Sequence, residues 1–174
     1  SYFEKRLDSL KTKYNKWEKM FLEWREKYPE LRSTLEKGLN LIMEDSIFNH
    51  EFDFPTGKMI ATRNSANIVL KKFCETLDYI VSGSADLGSS TKTYIKESKF
   101  ISAKDYLNHN IQYGIREHAM GTIANGLYFY GAILPVVGTF LSFMPYMKPA
   151  MRMSAMMRIP VIYLFSHDSI YVGE

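Results

Sequence analysis

Ile111-Gln-Tyr-Gly-Ile-Arg-Glu-His-Ala-Met-Gly-Thr-Ile-Ala-Asn-Gly-Leu-Tyr-Phe-Tyr-Gly131, running on into Ala132-Ile-Leu-Pro-Val-Val-Gly-Thr-Phe140, is the stretch that decides the fold. Ile111-Gln-Tyr113 reads as a short strand. Arg116 to Tyr130 is long enough for a helix and is stopped by Gly131. Ile133 to Val137 is apolar and partly β-branched, so it predicts a second strand. The same alternation extends outward. Thr62 to Leu77 predicts a helix with Ile68, Val69, Phe73 and Leu77 on its inner side. Tyr79-Ile-Val81 predicts a buried strand that runs into a small-residue loop, Ser82 to Ser90. Downstream, Leu141 to Arg158 predicts a second helix and Val161 to Phe165 an apolar strand. Uninterrupted apolar strands between helices mark a parallel sheet covered on both faces. The expected class is α/β, doubly wound and mainly parallel, preceded by a helical arm.

That arm has its own period. Phe3, Leu7, Leu10, Tyr14, Trp17, Phe21, Trp24 and Tyr28 alternate by four and three, which sets an apolar stripe on one long helix. Pro29 ends it or begins a shorter helix with Leu31, Leu35 and Leu39. A coiled coil and a helix laid across a larger body both fit the stripe, and its aromatic content favours the second. Residues 45–60 mix Asp, Asn, Pro55 and Gly57 and read as a linker. The division expected is therefore an arm over 1–60 and an α/β domain over 61–174.

Composition narrows the function. The net charge is +3, with Lys and Glu interleaved along the arm. Such a surface is solvated, whereas a nucleic-acid footprint clusters Lys and Arg on one face. One cysteine, Cys74, leaves no internal disulfide, fits a reducing compartment and reads as a small buried hydrophobe. The longest apolar run, Ala132 to Met144, holds Pro135 and Gly138 and is too short to span a bilayer. No secretory signal pattern opens the chain. These features predict a soluble, cytoplasmic protein with neither nucleic-acid nor membrane partners.

Ser84-Ala-Asp86, Arg116-Glu117, Thr139 and His167-Asp168 each fall at the C-terminal end of a predicted strand. Open parallel sheets bind ligands in the crevice along that edge. Taken alone, each residue has a structural reading. A Glu in a first turn meets the helix dipole. Aromatics spaced by three at a helix start are core, and Arg63 and Ser90 are surface or loop residues. His50 and His109 lie outside every motif and read as surface residues. Met144, Met147, Met151, Met153, Met156 and Met157 read as pliable filler of the core or an interface.

Together, Ser84-Ala-Asp-Leu87, Tyr113-Gly-Ile-Arg-Glu-His-Ala-Met-Gly121, Gly138-Thr-Phe140, His167-Asp-Ser-Ile170 and Val172-Gly-Glu174 resemble transketolase, in order and in spacing. The segment before them resembles that family's linker between its pyrophosphate-binding and pyrimidine-binding domains. Arg116-Glu-His-Ala-Met120 is the most specific string.

The resemblance implies thiamine diphosphate as cofactor and a two-carbon ketol transfer from a ketose phosphate to an aldose phosphate. It implies that Glu117 is a protonated carboxyl hydrogen-bonding N1′ of the aminopyrimidine, so that C2 of the thiazolium can lose its proton. Such a carboxyl calls for a buried site that favours its neutral form. Phe140, Phe143 and Tyr146 would pack on the aminopyrimidine. Asp86 would work at the cofactor and subunit boundary. Arg63 and Ser90 would hold the sugar phosphate, for which a planar guanidinium fork is suited. His167 would lie near the thiazolium and the substrate hydroxyls as a proton carrier. Asp168 would hold the loop, and His118 would act only behind Glu117.

Three positions depart from the family pattern. Thr91 stands where many relatives have Asn, Val137 where a second Gly precedes the Gly-Thr-Phe, and Tyr171 where a Gly is usual. Val137 and Tyr171 bear on substrate preference. No Gly-Asp-Gly followed by Asn is present, so the ligands for Mg²⁺ or Ca²⁺ are expected in a diphosphate domain outside this chain. The family's site lies between two subunits of a homodimer. The expectation is a fragment of a longer enzyme that carries about half of a site and is inactive alone. Two other readings compete: a non-catalytic interaction module, and a related enzyme such as dihydroxyacetone synthase. Arg116-Glu-His-Ala-Met120 argues against deoxyxylulose-phosphate synthase.

Overall fold

The computed structural model describes residues 1–43, 45–52, 54 and 56–168. Ser169 to Glu174, with Tyr171 and the Val172-Gly-Glu174 piece, and Pro55 lie outside the described residues. The chain divides into two compact units, Ser1–Glu36 and Lys37–Glu174.

In the first unit, helix α1 (Tyr2–Lys27) starts from a capping box. The Ser1 side chain accepts from the Glu4 N–H while the Glu4 carboxylate reaches back to the Ser1 nitrogen. α1 buries none of its residues. Its predicted stripe is present as stacked rings: Trp17–Phe21 at 5.1 Å and 8°, then Phe21–Trp24 at 5.7 Å and 14°. Helix α2 (Pro29–Leu39) begins on Pro29, whose missing N–H costs nothing at a first helical position. Arg25 and Arg32 both donate to Glu36 Oε1, at 2.9 and 2.8 Å.

The second unit is a four-stranded, wholly parallel sheet: β1 (Ile80–Ser84), β2 (Asn110–Gln112), β3 (Leu134–Phe140) and β4 (Ile162–Ser166), in the order β2-β1-β3-β4. Helices α3 (Thr62–Cys74), α4 (Gly88–Thr91), α5 (Glu117–Tyr130) and α6 (Met144–Met157) connect and cover it. Two cores form. Leu70 and Cys74 of α3 pack with Ile80 and Val136, while Met120 and Ala124 of α5 and Met147 of α6 pack with Tyr113 and Val137. Adjacent residues of β3, Val136 and Val137, thus feed opposite cores, as a strand buried on both faces requires. No described helix is long and apolar enough to cross a membrane.

Several expectations change in detail. Ser82-Gly-Ser84 is not loop but the second half of β1, and it is fully buried. Small polar residues survive there because their hydroxyls are satisfied: Ser82 Oγ donates to the Thr93 carbonyl at 2.6 Å and Ser84 Oγ to that of Gly138 at 2.7 Å. β3 runs to Phe140, so Thr139 lies inside the strand rather than past it, and α6 waits until Met144 after a 3₁₀ turn at Leu141–Phe143. α3 ends at Cys74 and turns Leu70 and Cys74 inward, leaving Ile68 exposed. The apparent linker includes a 3₁₀ turn, Asp45–Asn49, that buries Ile47 in the α3 core. The polar excursion is clasped by Asn110, which accepts from the Ile95 N–H and donates to the Ile95 and Ser98 carbonyls. His109 is half-buried with Nδ1 2.7 Å from the Ile80 carbonyl oxygen, and His50 Nε2 lies 3.1 Å from Thr76 Oγ1.

Candidate active site

A parallel sheet delivers all its strand ends to one edge, and the polar residues singled out above gather there. Asp86 follows β1, Glu117 is the first residue of α5 after β2, Phe140 closes β3, and His167 follows β4. Asp86 and His167 both adopt left-handed backbone conformations, with φ of 65° and 57°. Non-glycine residues are uncommon there, and such positions cluster at functional sites.

A cleft of about 510 Å³ opens at this edge, lined by Ala85, Asp86, Leu87, Ile115, Glu117, Phe143 and Tyr146. The half-buried Glu117 stands at the positive end of the α5 dipole. The surroundings expected for it were those of a buried acid; the carboxyl instead lines an open cleft. A row of rings forms the adjoining wall. Phe143 lies 5.8 Å from Phe140 at 12° and 6.4 Å from Tyr146 at 41°, and Phe140 lies 3.9 Å from the His167 imidazole. Phe140 is buried, whereas Tyr146 is largely exposed, so the wall runs from core to surface. The cleft presents two carboxylates, Asp86 and Glu117, and no Lys or Arg among its described lining.

His167 connects this wall to a second, smaller cleft of about 130 Å³ lined by Thr62, Arg63, Ala66, Thr91, Leu164, Phe165 and Ser166. Arg63 Nη1 donates to His167 Nε2, and His167 Nδ1 lies 2.9 Å from Ser166 Oγ. A guanidinium can only donate, so Nε2 accepts. Arg63 Nε is buried without a hydrogen-bond partner among the described residues, leaving a charged donor at this cleft with bonding capacity unspent.

Not every predicted residue lines a cleft. Ser90, half-buried in α4, lines neither; the neighbouring Thr91 lines the Arg63 cleft. His118 and Asp168 are exposed. Sequence reasoning passed over Ile115, which is 79% exposed yet lines the Glu117 cleft, and Tyr94. The Tyr94 ring covers Gly88, where a Cβ would sit 2.2 Å from it. Burial, and then the charge of Asp86, hold its phenol above the usual range. Ile115 was legible as an apolar residue inside the Glu117 string. Tyr94 carried no local signal.

The family described as transketolase, pyrimidine binding domain, matches residues 58–174. The chain belongs to this family. Curated relatives include the transketolases of Dictyostelium discoideum, 40% identical over 99% of this chain and 26% of the relative, and of Aquifex aeolicus, 39% identical over 100% of this chain and 25% of the relative. Among solved structures, the transketolase of Pichia stipitis in complex with sedoheptulose 7-phosphate superposes with a TM-score of 0.84 at 35% identity, over 94% of this chain and 25% of that one. The transketolase of Leishmania mexicana does so with a TM-score of 0.84 at 30% identity. The chain thus spans about a quarter of the length of the transketolases it matches.

Thiamine diphosphate, the cofactor of this transketolase family, can be tested against the cleft in two parts. A flat aminopyrimidine fits beside a row of rings and a carboxyl. A diphosphate does not fit beside two carboxylates with no cation among the described lining. The residues present suit the ring end of the cofactor.

Proposed function

We propose that this chain is the ring-binding part of a transketolase, an enzyme that moves a two-carbon ketol unit reversibly from a ketose phosphate to an aldose phosphate in the pentose phosphate pathway. Residues 1–60 serve as the linker arm and residues 61–174 as the pyrimidine-binding domain. A cytoplasmic homodimer completes each site, with the diphosphate and its Mg²⁺ or Ca²⁺ held by a domain outside this chain. When bound, thiamine diphosphate would supply a carbon that is nucleophilic once deprotonated and a cationic ring able to act as an electron sink.

The residues of this chain handle the ring and the protons. Glu117 holds a proton against N1′ of the aminopyrimidine. Phe143 and Tyr146 offer ring faces to the heterocycle, and buried Phe140 braces Phe143 from behind. Asp86, in its left-handed backbone conformation, lines the same cleft and meets the cofactor at the subunit boundary. Arg63 and Ser90 take the substrate phosphate. A phosphate that draws Arg63 away frees His167 Nε2 to accept a proton from a substrate hydroxyl.

The observation that carries this reading is that Glu117 shares one cleft with Phe143 and Tyr146. In the complete protein, Glu117→Ala is expected to lower ketol transfer by about 10² or more, the range for losing a positioned proton-transfer group. Transfer within about threefold of wild type would refute the role.

A further inference from the structure

The turn that presents Glu117 is held by a side chain to which neither its chemistry nor the family match gives a task. Only Tyr113 to Arg116 separate the end of β2 from the first residue of α5. To reverse direction in so short a span, Gly114 takes φ +68° and its carbonyl accepts from the Arg116 N–H at 2.7 Å. Arg116 is the N-cap of α5, and its carbonyl accepts from the Met120 N–H at 2.8 Å. Its side chain does not cap the helix. It folds back instead, and Nη1 donates to the Tyr113 carbonyl at 2.9 Å. Gly114 makes room for this: a Cβ there would lie 2.7 Å from Arg116 Nη1. The turn therefore needs glycine twice, for its φ and for the guanidinium that crosses it.

From this geometry we infer that Arg116 is a positioning residue, a latch from guanidinium to the Tyr113 carbonyl that fixes where α5 begins and so where the Glu117 carboxyl enters the cleft. The inference rests on the role proposed for Glu117. Tyr113 is a firm anchor: its ring is buried in the core with Val137 and Met120, and its N–H donates to the Ser84 carbonyl at 3.3 Å. A guanidinium suits the task because its donor sits on a planar, charged fork. Without the latch, the turn keeps its two backbone bonds, from the Arg116 N–H to the Gly114 carbonyl and from the Met120 N–H to the Arg116 carbonyl, and loses the guanidinium tie to Tyr113. A misplacement of about 1 Å is enough to cost a catalytic group most of its effect.

The test uses the complete, cofactor-free protein titrated in Mg²⁺ with thiamine diphosphate and with an analogue in which CH replaces N1′. If Glu117 bonds that nitrogen, wild type prefers the natural cofactor by on the order of tenfold. Arg116→Ala is expected to shrink the preference below about threefold, as is Glu117→Ala. A role confined to stability would leave the ratio unchanged. Retained preference in Arg116→Ala together with loss in Glu117→Ala overturns the latch alone. Retained preference in Glu117→Ala overturns the proposed role of Glu117, and the latch with it. Should Arg116→Ala fail to fold, Arg116→Met keeps the aliphatic stem and removes only the donors of the latch. Its ratio then decides, loss supporting the latch and retention overturning it.

Discussion

Replacing Gly83 with alanine puts a single methyl group where the sheet has no space for it. Gly83 pairs with Ile111 of β2 on one side and with Val137 of β3 on the other. Its Cβ would stand 2.2 Å from the Ile111 carbonyl oxygen and 2.6 Å from Cε2 of Tyr113. Relief requires an opening of about 1 Å to regain an ordinary contact. The oxygen belongs to the backbone of the neighbouring strand and cannot turn aside like a side chain. Overpacking of this kind costs about 1–3 kcal/mol. Losing one ladder hydrogen bond costs about 1 kcal/mol more. The sum, about 2–4 kcal/mol, is a large share of a stability that is typically about 5–15 kcal/mol. It corresponds to a drop in Tm of roughly 10 °C. Gly126→Ala supplies the control, because a Cβ on Gly126 in α5 meets nothing within 4 Å. There the same methyl group is expected to stabilise by about 0.5–1 kcal/mol, the helix preference of Ala over Gly. Urea unfolding followed by circular dichroism measures both. Equal effects of the two substitutions, or a Gly83→Ala within about 0.5 kcal/mol of wild type, would rule out the clash with β2 as the source of the loss.

Burial pushes the Cys74 thiol up to about 12 from its usual 9.0. Between those values the unfolded chain sheds a proton that the native state keeps. Stability is full below about pH 9 and falls by about 1.4 kcal/mol per pH unit above it; in Cys74→Ala that part of the alkaline slope should vanish. Ser154 Oγ donates to Asn125 Oδ1 at 2.6 Å and lies 2.7 Å from the Tyr163 hydroxyl, inside the α5–α6 core. Ser154→Ala should therefore cost about 1–3 kcal/mol in chemical denaturation, and adding Tyr163→Phe should cost less than the sum. In the complete protein, Arg63→Ala should raise KM for phosphorylated sugars by about 10–100-fold with kcat changed much less, as steady-state kinetics would show.

The sheet was legible wherever strands are apolar throughout, as in Leu134 to Val137 and Ile162 to Phe165. It was illegible at Ser82-Gly-Ser84, because turn chemistry and tight burial draw on the same small residues. There the deciding facts are the Thr93 and Gly138 carbonyls, which no local pattern reveals. Thr139 read as lying past a strand because the apolar run ends at Val137, yet the missing Cβ of Gly138 makes way for Thr93 and the strand runs on to Phe140. The Glu117 cleft was legible from one string and its neighbours at the strand ends. The pairing of Arg63 with His167 joins residues 104 positions apart and could come only from the fold.

The most direct measurement is a crystal structure of the complete protein loaded with thiamine diphosphate and Mg²⁺, read at a single separation. A Glu117 carboxyl oxygen is expected within about 2.6–3.2 Å of N1′ of the aminopyrimidine, the reach of a proton-holding hydrogen bond. A ring bound elsewhere, or a Glu117 oxygen more than about 4 Å from that nitrogen, would contradict the role proposed for Glu117.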